Sequence, residues 1–153
     1  MEHHFQVAHL EVERLLAEWR WLCPQPMTLV ARNAFGDLFL RDEAGRIFQL
    51  EVAIGRTIQI AQTEAQFLEL SGNKADRERW FAEADEFAAA GQGLKPNGDQ
   101  CIGFKIPLVF AQSGSPSQAY VADLYEQVSF LGYLHRQIAE LPDGSKVQLE
   151  IKP

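Results

Sequence analysis

The side chains best suited to chemistry here are His3, His4, His9, His135, Cys23 and Cys101. A zinc site needs three or four such ligands at short spacing, and no CxxC or HxxxH pair occurs. His9 and Glu13 share a helix face at i, i+4, but two groups do not make a metal site. A serine nucleophile of the GxSxG type is absent. Cysteine–histidine catalysis would need Cys23 or Cys101 beside His135, and Cys101 lies in an apolar run where a thiol is expected to be buried and inert. His135 falls at the edge of a helix's apolar face, the place for a partly buried imidazole bonded to backbone. Asp123 ends a strand, a position used by catalytic carboxylates and more commonly by strand-to-helix turns. Gly91-Gln92-Gly93 precedes no GK[ST], and Gly114-Ser115-Pro116-Ser117 is turn chemistry, so no phosphate loop is expected. No motif asks for a metal or an organic cofactor. An enzymatic or small-molecule site, if the chain has one, is expected where Cys101, Asp123 and His135 meet.

The elements that would position these groups read as α+β: an antiparallel sheet, built from a β-meander plus later strands, with helices packed on it. Residues 10–23 form a helix, with Val12, Leu15, Leu16, Trp19 and Leu22 on one face and Pro24 ending it. Residues 28–62 alternate with period two between turns containing Gly45 and Gly55. In that meander Leu38 and Leu40 oppose Phe39, and Phe48, Leu50 and Val52 oppose Ile47, Gln49 and Glu51. Thr63-Glu64-Ala65-Gln66 is a capping box that opens a short helix. A longer helix follows from residue 73 or 74 to about 90, with Trp80, Ala84, Phe87 and Ala88 facing inward and Gly91 as its stop. Residues 101–110 form a strand ended or kinked at Pro107, and 119–124 form another. Residues 127–141 form a helix that buries Val128, Leu131, Leu134, Ile138 and Leu141. Pro142-Asp143-Gly144 is a turn before a last strand with Val147, Leu149 and Ile151.

The 153 residues fit one domain, spanning 1–153. Hydrophobic residues at 46% and charged residues at 23% are ordinary for a globular chain that needs no staple. Two isolated cysteines, no apolar run of membrane-spanning length and no basic-then-apolar N-terminus point to a cytoplasmic protein with reduced thiols.

The net charge is −7, and residues 63–92 hold seven acids against three bases, more than half of that excess. Such a surface disfavours nucleic acid, whose binding needs Lys and Arg to displace counterions. It suits solvation, or a basic protein partner. Asp76, Glu78, Glu83, Asp85 and Glu86 are the candidate charges in the helical segment, with Asp42 and Glu43 at a hairpin tip.

Several motifs follow one another in order: Trp19-Arg20-Trp21-Leu22; Phe35-Gly36-Asp37-Leu38-Phe39-Leu40 with Asp42 and Gly45; Gly103-Phe104-Lys105-Ile106-Pro107; and Phe130-Leu131-Gly132-Tyr133-Leu134-His135-Arg136-Gln137-Ile138 ahead of Leu141-Pro142-Asp143-Gly144. Their order and spacing resemble the C-terminal domain of immunity proteins that protect bacteria from type VI secretion DNase effectors. The likeness covers about residues 16–144. Fuller members of that family carry a further N-terminal domain. The resemblance implies a non-enzymatic cytoplasmic antidote whose partner is a cognate toxin of the basic nuclease kind, bound by direct protein contact. A regulatory adaptor built on the same domain is a third reading beside the antidote and the small-molecule site.

Overall fold

The computed structural model describes residues 5–105 and 118–141. The chain runs α1 (Val12–Leu16), a 3-10 turn (Ala17–Trp19), β1 (Thr28–Arg32), β2 (Leu38–Arg41), β3 (Ile47–Glu51) and β4 (Arg56–Ala61). It continues through α2 (Glu64–Leu70), α3 (Lys74–Phe81), α4 (Glu83–Gly91), β5 (Gln100–Phe104), β6 (Ala119–Asp123) and α5 (Leu124–Ala139). The fold is α+β. The expected strand beyond Phe104 with its Pro107, the 112–117 loop, the 142–144 turn and the last strand at Val147, Leu149 and Ile151 lie outside the described residues.

Strands β1 to β4 form an antiparallel meander in chain order, as the period-two alternation predicts. Both faces of this sheet are covered. Leu38, Leu40, Leu50 and Val52 point toward Leu15, Leu16 and Trp19 and toward Val128, Leu131 and Leu134 of α5. Phe39 and Ile47 point the other way, against Phe67 of α2 and Trp80 of α3. The Phe39 ring lies 5.5 Å from Phe67 and 5.0 Å from Phe81. Consecutive residues of β2 can all be buried because helices occupy both sides of the pleat. The later strands do not extend the meander. β5 and β6 pair with each other as a second, two-stranded sheet, and the Ile102 N–H donates to Ala34 O at 2.8 Å to tie it to the first.

Glycines set the close approaches. A Cβ on Gly132 would meet Glu18 O at 2.7 Å and Trp19 Nε1 at 2.8 Å, so α5 lies directly against the 3-10 turn. Trp19 Nε1 donates to Val128 O at 2.8 Å across the same seam. Gly55, at φ +82°, leaves room for the His135 ring, whose Nδ1 would lie 2.5 Å from a Cβ there.

Three local expectations change. The first helix is short and tightens into the 3-10 turn, which brings Trp19 under α5 rather than continuing to residue 23. The expected helix from 73 or 74 to 90 breaks at Ala82, whose φ of 48° and ψ of 48° are left-handed. The break lets Trp80 stay in the sheet core while α4 turns away, so Phe87, seven residues on, is 81% exposed instead of buried. The terminating glycine is Gly93 at φ +84°, since Gly91 still belongs to the helix. Leu141 is also largely exposed, outside the inward face of α5. The Thr63 half of the capping box forms, Gln66 N–H donating to Thr63 Oγ1 at 3.0 Å, while Gln66 Oε1 accepts from the N–H of Gln62, one residue before the cap, at 2.6 Å.

Candidate functional site

The seven candidate carboxylates fall into two groups, two in a hairpin turn of the first sheet and five in α3 and α4. Asp42 and Glu43 sit in the β2–β3 turn. Asp42 is buried there: its Oδ1 accepts from the Arg46 N–H and its Oδ2 from Arg46 Nε, both at 2.8 Å, which leaves Glu43 as the exposed acid of the tip. Asp37, at the other end of β2, is about 16 Å away along an extended strand. That far end meets the α3–α4 junction, where Asn33 Nδ2 donates to Trp80 O at 3.0 Å. The hairpin tip and α4 therefore present separate surfaces.

Within α3, Lys74, Arg77 and Arg79 offset Asp76 and Glu78. Asp76 pairs with Arg79, and Glu78 Oε1 accepts from the Ala84 N–H at 3.1 Å across the break. Glu83, at the start of α4, pairs back to Arg77. Residues 82–94 then carry Glu83, Asp85 and Glu86 with no Lys or Arg. The acidic excess of the middle segment is thus concentrated in α4.

This helix buries none of its residues. Two stripes at i, i+3, i+4, i+7 spacing, offset by two residues, place Glu83, Glu86, Phe87 and Ala90 opposite Asp85, Ala88, Ala89 and Gln92. The first stripe borders a cleft of about 320 Å³ with Phe5, Phe81 and Arg32 on its other wall. The second borders a cleft of about 530 Å³ that also holds Asp37, Gln49, Glu51, Arg79 and Gln127. α4 is a ridge between two hollows, and Phe87 projects from it.

Both clefts have polar floors built by the β1–β2 turn. Asn33 Oδ1 accepts from the Phe35 and Asp37 N–H groups, each at 3.0 Å, and fixes the turn. The Asp37 carboxylate accepts from Val52 N at 3.1 Å, Gln49 Nε2 at 3.1 Å and Asn33 Nδ2 at 3.2 Å. Burial nevertheless pushes Asp37 up to about 6, against the pull of these donors. Arg32 is buried beneath Phe5, with its guanidinium carbon 3.9 Å from that ring centre. It donates to Asn97 O at 2.9 Å and Gln100 O at 2.6 Å, tying β1 to the turn before β5. Burial lowers its pKa to about 10, which leaves it charged at neutral pH.

Cys101, Asp123 and His135 are not brought together around one cavity. Cys101 packs in the main core, 3.5 Å from where a Gly36 Cβ would lie, and burial pushes its thiol up to about 12. It stays protonated at neutral pH, the unreactive form. Asp123 caps α5, accepting from the Glu126 N–H at 2.9 Å. His135 is twelve residues further along the helix, about 18 Å by helical rise. Its Nε2 lies 3.2 Å from Ala53 O and its ring 5.9 Å from Trp19, and burial lowers its pKa. The backbone-bonded imidazole expected from the sequence is what the fold contains, and it is buried rather than partly buried. Among the described residues no cluster of three or more His, Cys, Asp or Glu is arranged to hold a metal, and no helix is long and apolar enough to cross a membrane.

Sequence reasoning missed Phe87 and the Asn33–Asp37–Gln49 floor. The acid-only composition of residues 82–94 was the available signal for the first. The second is an Asn33-centred turn joined to Gln49 and Val52 through the β2–β3 register, which no single local signal gives. No protein-family model, curated protein or solved structure matches this chain.

Proposed function

We propose that this chain is a non-enzymatic binding protein of the immunity type, which neutralises a basic, DNase-type toxin by direct contact. The observation that carries the reading is α4: an exposed helix with three carboxylates, no cation from 82 to 94, and an unburied phenylalanine. A nuclease must present Lys and Arg where it holds DNA phosphates. An acidic ridge that enters that groove competes with the substrate, and opposite charge speeds association toward about 10⁸–10⁹ M⁻¹s⁻¹ at low salt. The ordered motifs resembling DNase-effector immunity domains support the same reading. They supply the scaffold, and α4 supplies the acidic contact.

The test begins with affinity capture from the native bacterial lysate at low and moderate salt, followed by identification and purification of the retained protein. Its DNA cleavage is then measured with and without this chain. The expected result is a basic nuclease, inhibited at one-to-one stoichiometry, whose inhibition weakens with salt. A captured protein without nuclease activity, or one cleaving DNA equally well in the presence of this chain, would refute the reading.

A further inference from the structure

The larger cleft beside α4, at about 530 Å³, has the size of a small-molecule site, roughly 300–1,000 Å³. Phe35, Ile102 and Phe104 wall it on one side, and Ala82, Ala88 and Ala89 wall it from the α3–α4 break onward. Its floor holds hydrogen-bond acceptors that the protein leaves unfilled. The Asp37 carboxylate takes the Val52 N–H on Oδ1, and Gln49 Nε2 and Asn33 Nδ2 on Oδ2. A carboxylate accepts about four hydrogen bonds, so Oδ1 has a position open. All three donors are neutral, and the one charge that acts on Asp37 is that of Glu51, of its own sign. Gln49 turns its amide nitrogen to Asp37 and so its Oε1 away from it. Gln49 is 4% exposed and borders this cleft, and among the described residues its Oε1 has no partner.

The other charges along the cleft do not answer Asp37. Arg79 pairs with Asp76, Glu51 with Arg56, and Asp85 lies at the exposed rim. A carboxylate drawn out of bulk water is ordinarily faced by a cation. Here it has neutral donors and, beside it, an amide oxygen with none.

We propose that this cleft binds a small organic cation, an amidinium or primary ammonium on an apolar body, which donates one N–H to Asp37 Oδ1 and another to Gln49 Oε1 while its body lies between Phe104 and the alanines of α4. The site goes beyond the toxin-binding reading and does not depend on it. Two acceptors on side chains joined by one hydrogen bond suit two N–H groups of one ligand head, and such charge-assisted bonds are about twice as strong as neutral ones. A carboxylate ligand brings like charge to Asp37 and a donor to neither oxygen. An apolar molecule without donors fills the walls and leaves both acceptors dry, which costs more than it gains.

The test titrates benzamidine into the full chain at neutral pH and follows amide chemical shifts, with guanidinium and benzoate as comparisons. Benzamidine is expected to bind with a Kd of about 0.1–1 mM. The shifts are expected at residues 33–37, 49–53 and 82–89, around the cleft. Guanidinium has the donors without the body and benzoate the body without the donors, and each is expected to bind at least about tenfold more weakly. Asp37→Asn is expected to weaken benzamidine about tenfold. Ala88→Leu, an exposed change that fills the cleft from α4, is expected to weaken it by a similar factor and to leave the spectrum of the free chain unchanged away from the site. This variant and the two comparison ligands decide the matter even where Asp37→Asn disturbs the turn. No shift at about 10 mM benzamidine would overturn the proposal. So would guanidinium or benzoate binding as tightly, an Ala88→Leu chain that binds fully, or shifts centred on the 42–45 hairpin.

Discussion

The seam between Trp19 and α5 and the ridge of α4 are both helical, and they follow opposite rules. In the seam, backbone meets side chain with no space to spare: Gly132 lies under Trp19, His135 lies over Gly55, and Trp19 donates into α5. On the ridge no residue is fully buried, and the helix is held at its N-terminal end through Glu78 and the Arg77–Glu83 pair and farther along by Ala89, partly buried against the Phe5, Ala34 and Ile102 cluster. The ordered sequence motifs contribute Trp19, Gly132 and His135 to the seam. Of the motif residues, Trp19, Gly36, Leu38, Leu40, Gly132 and His135 are buried, Lys105, Tyr133 and Arg136 are exposed, and none lies on α4. The motifs specify the scaffold. The surface proposed to choose the partner is written in residues that the scaffold leaves unconstrained.

The seam is the region most sensitive to substitution. Gly55→Ala forces an alanine into a left-handed conformation and its Cβ against His135. Strain and overpacking together are expected to cost about 3–4 kcal/mol in chemical denaturation. Gly132→Ala gains helix propensity but must separate α5 from Glu18 and Trp19, for a net loss of about 2–3 kcal/mol. A loss below about 0.5 kcal/mol for both would show that the seam is not close-packed.

The floor of the clefts gives a pH signature. Folded Asp37 holds its proton up to about pH 6, from an ordinary value of 3.8. Between those values the folded state binds more protons than the unfolded state, so stability falls as pH rises through the window and levels off above it. The drop is expected to be about 2–3 kcal/mol. Asp37→Asn should remove that slope, read as unfolding midpoints from pH 4 to 7. An unchanged slope would place the carboxylate in water.

The ridge yields smaller effects. Ala82→Gly relieves the left-handed strain at the α3–α4 break and is expected to stabilise by about 1 kcal/mol. A loss instead would mean that the alanine methyl has a packing role. Phe87→Ser is expected to change stability by less than about 0.5 kcal/mol while weakening partner binding. A large loss of stability would return Phe87 to the core.

Much of the scaffold was legible. Period-two alternation marked the meander, and Thr63 with Gln66 marked the start of α2, because both signals are local. The break at Ala82 was not legible. Residues 73–90 have the composition of one helix, and the turn arises from Trp80 being held by Phe67 and Asn33 on the sheet while α4 leaves it. That tertiary decision exposed Phe87 and opened both clefts. The candidate acids of α4 were visible as charge. The separation of Asp42 and Glu43 from them was not, since it depends on which end of β2 the helices meet.

α4, and not the hairpin tip, is the face proposed to meet a basic nuclease. The direct measurement is the association rate of the captured nuclease with the wild-type chain, with Asp85→Lys/Glu86→Lys and with Glu43→Lys, across a salt series. The α4 double variant is expected to associate about tenfold more slowly at low salt and to converge on wild type at high salt, while Glu43→Lys stays near wild type. Equal slowing by both variants, or none by the α4 variant, would contradict it.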